Sequence, residues 1–290
     1  MEVKVAKTAG FCYGVKRAVD AVSKAIENGN KKIYTYGPIV HNEQVVEELR
    51  KNGVEVINDL EHLKNLALNR SLDDSVVVIR AHGVGKEVYN IINSCNSLNL
   101  IDATCPHVKK IHDIVREHYG NGETIVVTGS RIHPEVMGIL GQIDGNAIVI
   151  ENISDAENLS FPPESHVCIV SQTTFNMQKF EDIVDILNKK VYYMNVINTI
   201  CNATQRRQTE AKELSAECDA MIVIGGRNSS NTAKLYEICQ SECDKTYYIQ
   251  SLVDLKETLD NTVRCVGITA GASTPKSIIE EVLKYVRDEF

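Results

Sequence analysis

The sequence predicts an α/β protein of three pseudo-equivalent lobes, each a small, mainly parallel sheet with its helices. Three observations predict it. Cys12, Cys105 and Cys201 stand 93 and 96 residues apart along a chain of 290. Each is followed by apolar residues at helical spacing. Each of those helices gives way to a short strand that runs into a polar cluster opening a further helix. Strands alternating with helices argue for parallel α/β units, and matching cysteines and polar clusters in all three thirds argue that one unit is used three times.

The elements follow in order. After Cys12, the residues Val15, Ala18, Val19, Val22 and Ile26 line one helical face that ends at Gly29. After Cys105, Pro106 suits a first helical turn, and Val108, Ile111 and Val115 continue to about Gly120. After Cys201 come Ala211, Leu214 and Cys218. The strands that follow are Lys32–Tyr36, Thr124–Thr128 and Met221–Ile224, leading to His41-Asn42, His133-Pro134-Glu135 and Ser229-Ser230-Asn231. A later strand in each third ends in polar residues: Arg80-Ala81-His82-Gly83, Ser171-Gln172-Thr173-Thr174, and Thr269 through Ser273-Thr274. Further helices carry Val88, Ile91 and Ile92; then Phe180, Ile183, Val184 and Leu187; then Ile278, Ile279, Val282 and Leu283. A strand then leads into the next cysteine. The last third lacks that strand, and the N-terminal Val3–Ala6 supplies it, so the repeat closes on itself. The lobes are expected at 13–104, 105–198 and 199–290, with 1–12 completing the third, and 1–290 is read as a single unit. Pro162-Pro163 marks a loop within it.

Composition narrows the classes. With 43% hydrophobic and 24% charged residues the chain has ordinary globular composition. The longest apolar runs, such as Val76-Val77-Val78-Ile79, are strand-sized and far from the roughly 18 residues of a membrane span. The start, Met1-Glu2-Val3-Lys4-Val5, alternates like a strand and lacks a signal peptide's apolar region, so a cytoplasmic location is expected. The net charge of −8, with no basic stripe, argues against nucleic acid as a partner. An anionic small substrate stays open, because a few local donors decide that.

Nine cysteines, an odd number, in a reducing compartment disfavour structural disulfides. Neither C-x-x-C nor zinc-finger spacing occurs, so a metal held by cysteine must draw its ligands from far apart. Cys95, Cys168, Cys218 and Cys265 sit within apolar patterns and read as small buried hydrophobes. Cys239 and Cys243, spaced like one helix face, read as packing or surface positions. Cys12, Cys105 and Cys201 differ, since each stands at a strand-to-helix junction where backbone donors and a helix N-terminus favour a thiolate. Fully ligated [4Fe–4S] clusters take four cysteines. Three would leave one iron open to act as a Lewis acid on a substrate oxygen. A three-cysteine zinc site with an open position is the competing reading.

In such units ligands bind beyond the carboxyl ends of strands. His41, His82 and His133, three of eight histidines, stand beside strand ends in the repeat. With Thr173, Ser229, Ser230, Asn231 and Ser273 they offer hydroxyl, amide and helix N-terminal donors suited to a phosphate or diphosphate. No Walker A sequence and no G-x-G-x-x-G accompanies them. Glu135 is the carboxylate in these clusters. Beside a bound anion and away from water its pKa should rise, making it a proton donor near neutral pH. The alternative is a first-turn glutamate stabilised by the helix dipole.

Together these motifs resemble the LytB family, the 4-hydroxy-3-methylbut-2-enyl diphosphate reductases that complete the methylerythritol phosphate route to isoprenoids. The resemblance runs from Gly10-Phe11-Cys12-Tyr13-Gly14-Val15-Lys16-Arg17-Ala18 to Gly267 through Ser273. It includes Asp102-Ala103-Thr104-Cys105-Pro106, His133-Pro134-Glu135-Val136, Ser171-Gln172-Thr173-Thr174, Cys201-Asn202-Ala203-Thr204-Gln205-Arg206-Arg207-Gln208 and Ser229-Ser230-Asn231-Thr232. It implies three α/β lobes around a central [4Fe–4S] cluster, one per chain, held by Cys12, Cys105 and Cys201 with one iron not ligated by protein. It implies that His41, His82, Ser229, Ser230, Asn231 and Ser273 grip the diphosphate, that His133 sits near the phosphate and hydroxyl ends, and that Thr173 and Glu135 form the proton path. Thr174 is the other candidate for the threonine. The implied reaction is reductive dehydroxylation to isopentenyl and dimethylallyl diphosphates, with ferredoxin or flavodoxin as electron donor. Two other readings stand beside it: a zinc lyase or hydrolase acting on a phosphorylated substrate, and a cluster-bearing sensor that binds an anion without turnover.

Overall fold

Short runs of Val, Ile and Thr recur along the chain and form twelve strands among the described residues, arranged as three four-stranded sheets. The structure, a computed structural model, describes residues 1–29, 31–145, 147–255 and 263–289. In order the elements are β1 (Glu2–Val5), α1 (Tyr13–Glu27), β2 (Ile33–Tyr36), α2 (Glu43–Lys51), β3 (Val54–Ile57), α3 (Leu60–Leu68), β4 (Val76–Ile79), α4 (Lys86–Asn93) and β5 (Asn99–Asp102). They continue with α5 (Pro106–Gly120), β6 (Thr124–Thr128), α6 (Pro134–Leu140), β7 (Ile148–Ile150), α7 (Ile153–Asn158), β8 (His166–Ser171), α8 (Met177–Asn188) and β9 (Tyr193–Val196). The last are α9 (Asn202–Glu217), β10 (Ala220–Ile224), α10 (Ser230–Glu242), β11 (Thr246–Ile249), β12 (Cys265–Ala270) and α11 (Lys276–Glu289).

The sheets share one topology. Their orders are β3-β2-β4-β5, β7-β6-β8-β9 and β11-β10-β12-β1, and every pairing is parallel. In the third sheet the fourth place is taken by the chain's first strand, with Val3 opposite Val266 and Val5 opposite Ile268. The expected closure is therefore present, with the strand one residue earlier than Val3–Ala6. A parallel sheet covered on both faces needs strands apolar on both faces. The central strands meet that need, since Val76–Ile79 and Ala220–Ile224 are buried throughout.

Two compact units divide the chain. The first, Met1–Lys16, Val40–Leu49 and Asn202–Phe290, contains the sheet of β1, β10, β11 and β12. Its core places Ile222, Ile224, Ile268, Ile278 and Val282 on one face of that sheet's strands and Met221, Val223, Leu235 and Cys239 on the other. The second, Arg17–Ile39 and Arg50–Cys201, contains the other two sheets, with cores around Ile57, Val77 and Ile79, around Ile125, Val127 and Val170, and around Val126, Ile169 and Ile183. The expected lobe 199–290 takes in 256–262 and 290, and the first two lobes take in 30 and 146; these positions lie outside the described residues. Among the described residues no helix is long and apolar enough to cross a membrane.

Candidate active site

In the second unit the loops that leave β4, β6 and β8 carry polar side chains, as loops beyond strand carboxyl ends do in parallel sheets. Beyond β6, His133 caps α6, its Nδ1 accepting the Glu135 N–H at 3.2 Å. Pro134 takes the first helical position, where its missing N–H costs nothing. The next residue, Glu135, is only 2% exposed. Its Oε1 accepts the Thr173 N–H at 2.6 Å and its Oε2 accepts the Thr173 hydroxyl at 2.7 Å. Burial raises the Glu135 pKa to about 7, against the opposing pull of these two bonds. The carboxyl thus changes its proton near neutrality. Thr174 points elsewhere, its Oγ1 accepting from Gln172 Nε2 at 2.8 Å.

The loop after β4 brings His82 to His133, with ring centroids 5.3 Å apart and nearly perpendicular. Gly83 turns this loop at φ +69°, a conformation L side chains rarely adopt. A Cβ there would also lie 2.8 Å from His112 Cε1 and 3.0 Å from Thr104 Cγ2. His112, buried in α5, has its pKa lowered to about 4, chiefly by burial, so its ring is neutral.

The three cysteines occupy equivalent places in their own sheets. The Cys105 N–H donates to the Ala81 carbonyl at 3.0 Å, and the Cys201 N–H to the Thr173 carbonyl at 3.0 Å. In the first unit the Cys12 N–H donates to the Ala272 carbonyl at 3.3 Å. Each time the acceptor lies in the loop leaving the neighbouring strand, and each time a helix starts at the next residue. With the backbone donor committed, the sulfur is the group each junction presents. All three are half-buried and none is in a disulfide. Arg17 steadies the Cys105 junction through the Thr104 and Asp102 carbonyls, at 2.8 and 3.2 Å. Arg207 does the same for Cys12, donating to the carbonyls of Gly10 and Ala270.

The first unit also holds the hydroxyl cluster. Ser229 caps α10, its Oγ accepting the Thr232 N–H at 3.3 Å. The Ser273 hydroxyl reaches the His41 carbonyl at 3.2 Å and Ser229 Oγ at 3.5 Å. Ser230 and Asn231 occupy the first turn of α10, the end at which a helix presents its N–H groups outward. Asn231 Nδ2 is buried and lacks a hydrogen-bond partner, a donor that a bound anion would satisfy. His41 is set by the start of α2, where Asn42 Oδ1 accepts from Gln44 and Val45 at 3.1 and 3.2 Å.

The structure thus joins His82, His133, Glu135 and Thr173 in one unit, and Ser229, Ser273 and the His41 backbone in the other. Arg17 and Arg207 go unmarked in the sequence, whereas His112, whose helical pattern assigns it to the surface or core, is buried. Arg17 and Arg207 each lie inside a stretch that the resemblance quotes, which was the available signal.

A cysteine at a helix N-terminus, as each of the three is, is suited to ligate a metal. A family model described as LytB protein matches residues 3–287. A 4-hydroxy-3-methylbut-2-enyl diphosphate reductase from Thermoanaerobacter sp. (strain X514) is 42% identical over 288 residues, 99% of this chain and 97% of the relative. One from Clostridioides difficile (strain 630) is 39% identical, covering 99% of this chain and all of the relative. Among solved structures, the E-1-hydroxy-2-methyl-but-2-enyl-4-diphosphate reductase from Plasmodium falciparum superposes with a TM-score of 0.91 at 30% identity, over 99% of this chain and 88% of that one.

Proposed function

The chain belongs to the LytB family, and on that premise we propose that it catalyses the reductive dehydroxylation of 4-hydroxy-3-methylbut-2-enyl diphosphate. Two electrons and two protons convert the allylic alcohol to isopentenyl or dimethylallyl diphosphate and water. Cys12, Cys105 and Cys201 would hold a [4Fe–4S] cluster as thiolates, one per chain. When bound, that cluster supplies the electrons and, at the one iron without a protein ligand, Lewis acidity toward the substrate oxygen. The donor set of three cysteines, with no fourth cysteine at an equivalent junction among the described residues, supports this reading. The electron donor would be a ferredoxin or flavodoxin, the location the cytoplasm, and the lobes 13–104, 105–198 and 199–290, the last completed by 1–12, a single catalytic unit.

The chain's own residues do the rest. His41, His82, Ser229, Ser230, Asn231 and Ser273 bind the diphosphate, helped by the N-terminal N–H groups and dipole of α10. His133 uses Nδ1 to accept the Glu135 N–H, which places the proton of a neutral ring on Nε2, the atom that would donate to a substrate oxygen. Glu135 delivers its proton through Thr173 Oγ1 to the departing hydroxyl, so that water leaves in place of hydroxide. The observation that carries this reading is the buried Glu135–Thr173 pair, with its carboxyl at about 7. A helix-stabilising glutamate would have no reason to be buried and protonated near neutrality.

Glu135→Gln tests it. The variant should keep the cluster's visible absorption and bind diphosphate, while turnover falls by about 10²–10⁴-fold. Near wild-type rates in a single-turnover assay would remove Glu135 from the proton path.

A further inference from the structure

Six cysteines take no part in the proposed site, and four of them fall in the first unit. Cys239 and Cys243 are buried in its core. Cys218 and Cys265, which the sequence suggested were plain core residues, are instead half-buried and adjacent, with Sγ atoms 3.1 Å apart. That is about 1 Å beyond a disulfide bond length.

The backbone around the pair is fixed. Cys218 follows the last residue of α9, and Cys265 is the first residue of β12. The Asp219 N–H donates to the Cys265 carbonyl at 3.0 Å, while Asp219 Oδ2 accepts from the Arg264 and Cys265 N–H groups, both at 2.9 Å. Ala220 then pairs with Val266 in the ladder. Two residues 47 apart in sequence are thereby presented side by side. On the neighbouring strand Lys4, paired with Glu217 at 2.8 Å, places its ammonium where it acts on both sulfurs. Among the described residues no third His, Cys, Asp or Glu ligand atom lies within 4.8 Å of both sulfurs.

We propose that Cys218 and Cys265 form a reversible, peroxide-driven dithiol–disulfide pair, separate from the cysteines of the active site. The oxidant is a hydroperoxide. Cys265 sulfur takes one peroxide oxygen, becoming a sulfenic acid and releasing water or an alcohol. Cys218 sulfur then attacks the Cys265 sulfur; the S–O bond breaks, the S–S bond forms, and the displaced hydroxyl leaves as water with the Cys218 proton. Two thiols and one hydroperoxide give one disulfide, one alcohol (or water) and one water. Burial pushes the Cys218 thiol up to about 12, so it stays protonated and is not the sulfur that meets the peroxide first; its proton is given up to the departing hydroxyl as the S–S bond forms. The bridge joins the end of α9, the helix whose Arg207 holds the Gly10 and Ala270 carbonyls, to the start of β12. Dithiol reductants reverse it.

The test uses the full chain, purified anaerobically with its metal, exposed to a small excess of hydrogen peroxide, alkylated and digested without reduction. The expected product is a linked peptide pair containing Cys218 and Cys265, about 2 Da lighter than the separate thiol peptides and lost on treatment with dithiothreitol. In Cys265→Ser, Cys218 should be recovered fully alkylated after the same treatment. The proposal is overturned if both cysteines are alkylated in the peroxide-treated protein, if Cys218 is linked to Cys243 instead, or if Cys265 accumulates as sulfinic acid without a bridge.

Discussion

Replacing Glu135 by glutamine should change how stability depends on pH by an amount the structure sets. The carboxyl is buried, and its pKa is about 7 against an ordinary 4.5. The folded state therefore holds a proton that the unfolded chain has already released between those values. Stability linked to this proton is fully present below pH 4.5 and is lost as pH rises through 7. At 1.36 kcal/mol per pKa unit the loss amounts to about 3 kcal/mol, most of it between about pH 5 and 8. The side chain is almost wholly buried, so solvent screening does not reduce the figure. The substituted glutamine would resemble the protonated acid: its oxygen can accept the Thr173 N–H, and its amide can donate to a rotated Thr173 hydroxyl. The assay is anaerobic urea unfolding of both proteins at about pH 5 and pH 8. The variant should gain on the wild type by about 2–3 kcal/mol between the two pH values. Parallel pH dependences, with a constant difference, would show that Glu135 does not hold a proton near neutrality.

Other outcomes follow from neighbouring contacts. The Thr173 hydroxyl bond favours the ionised carboxyl, so Thr173→Val should move the alkaline limb of the pH–rate profile to higher pH and slow turnover about 10–100-fold. Thr174→Val, which loses only a contact to Gln172, should leave the limb in place; steady-state kinetics from about pH 6 to 9 distinguish the two. Arg207→Met leaves the Gly10 and Ala270 carbonyls without their buried donor and should destabilise by about 3 kcal/mol in denaturant unfolding.

Much of this architecture was legible because the repeat is carried by side chains whose chemistry is unusual for their place. The helices after Cys105 and Cys201 and the strand Thr124–Thr128 stand where the apolar spacing puts them. The closure of the third sheet by β1 follows from counting strands per third. The outer pieces were not legible. β3 with α3, β7 with α7, and β11 went unassigned, since strands of three or four residues carry too little period to separate from loops. At the site, the residue types were readable but their partners were not. Choosing Thr173 over Thr174 as the Glu135 contact needs the turn after β8 in three dimensions. His112 is invisible from sequence because its role is to fill the space that Gly83 leaves open. Cys218 and Cys265 each look apolar in their own segment, and only the sheet register sets them side by side.

In the proposed reaction, reduction depends on an iron–sulfur cluster held by Cys12, Cys105 and Cys201. Iron and inorganic sulfide analysis of anaerobically purified protein, beside Cys105→Ser, decides whether that cluster is there. The wild type should be brown with about four iron and four sulfide atoms per chain, and the variant should lose the visible absorption. A colourless wild type carrying about one zinc per chain would contradict it.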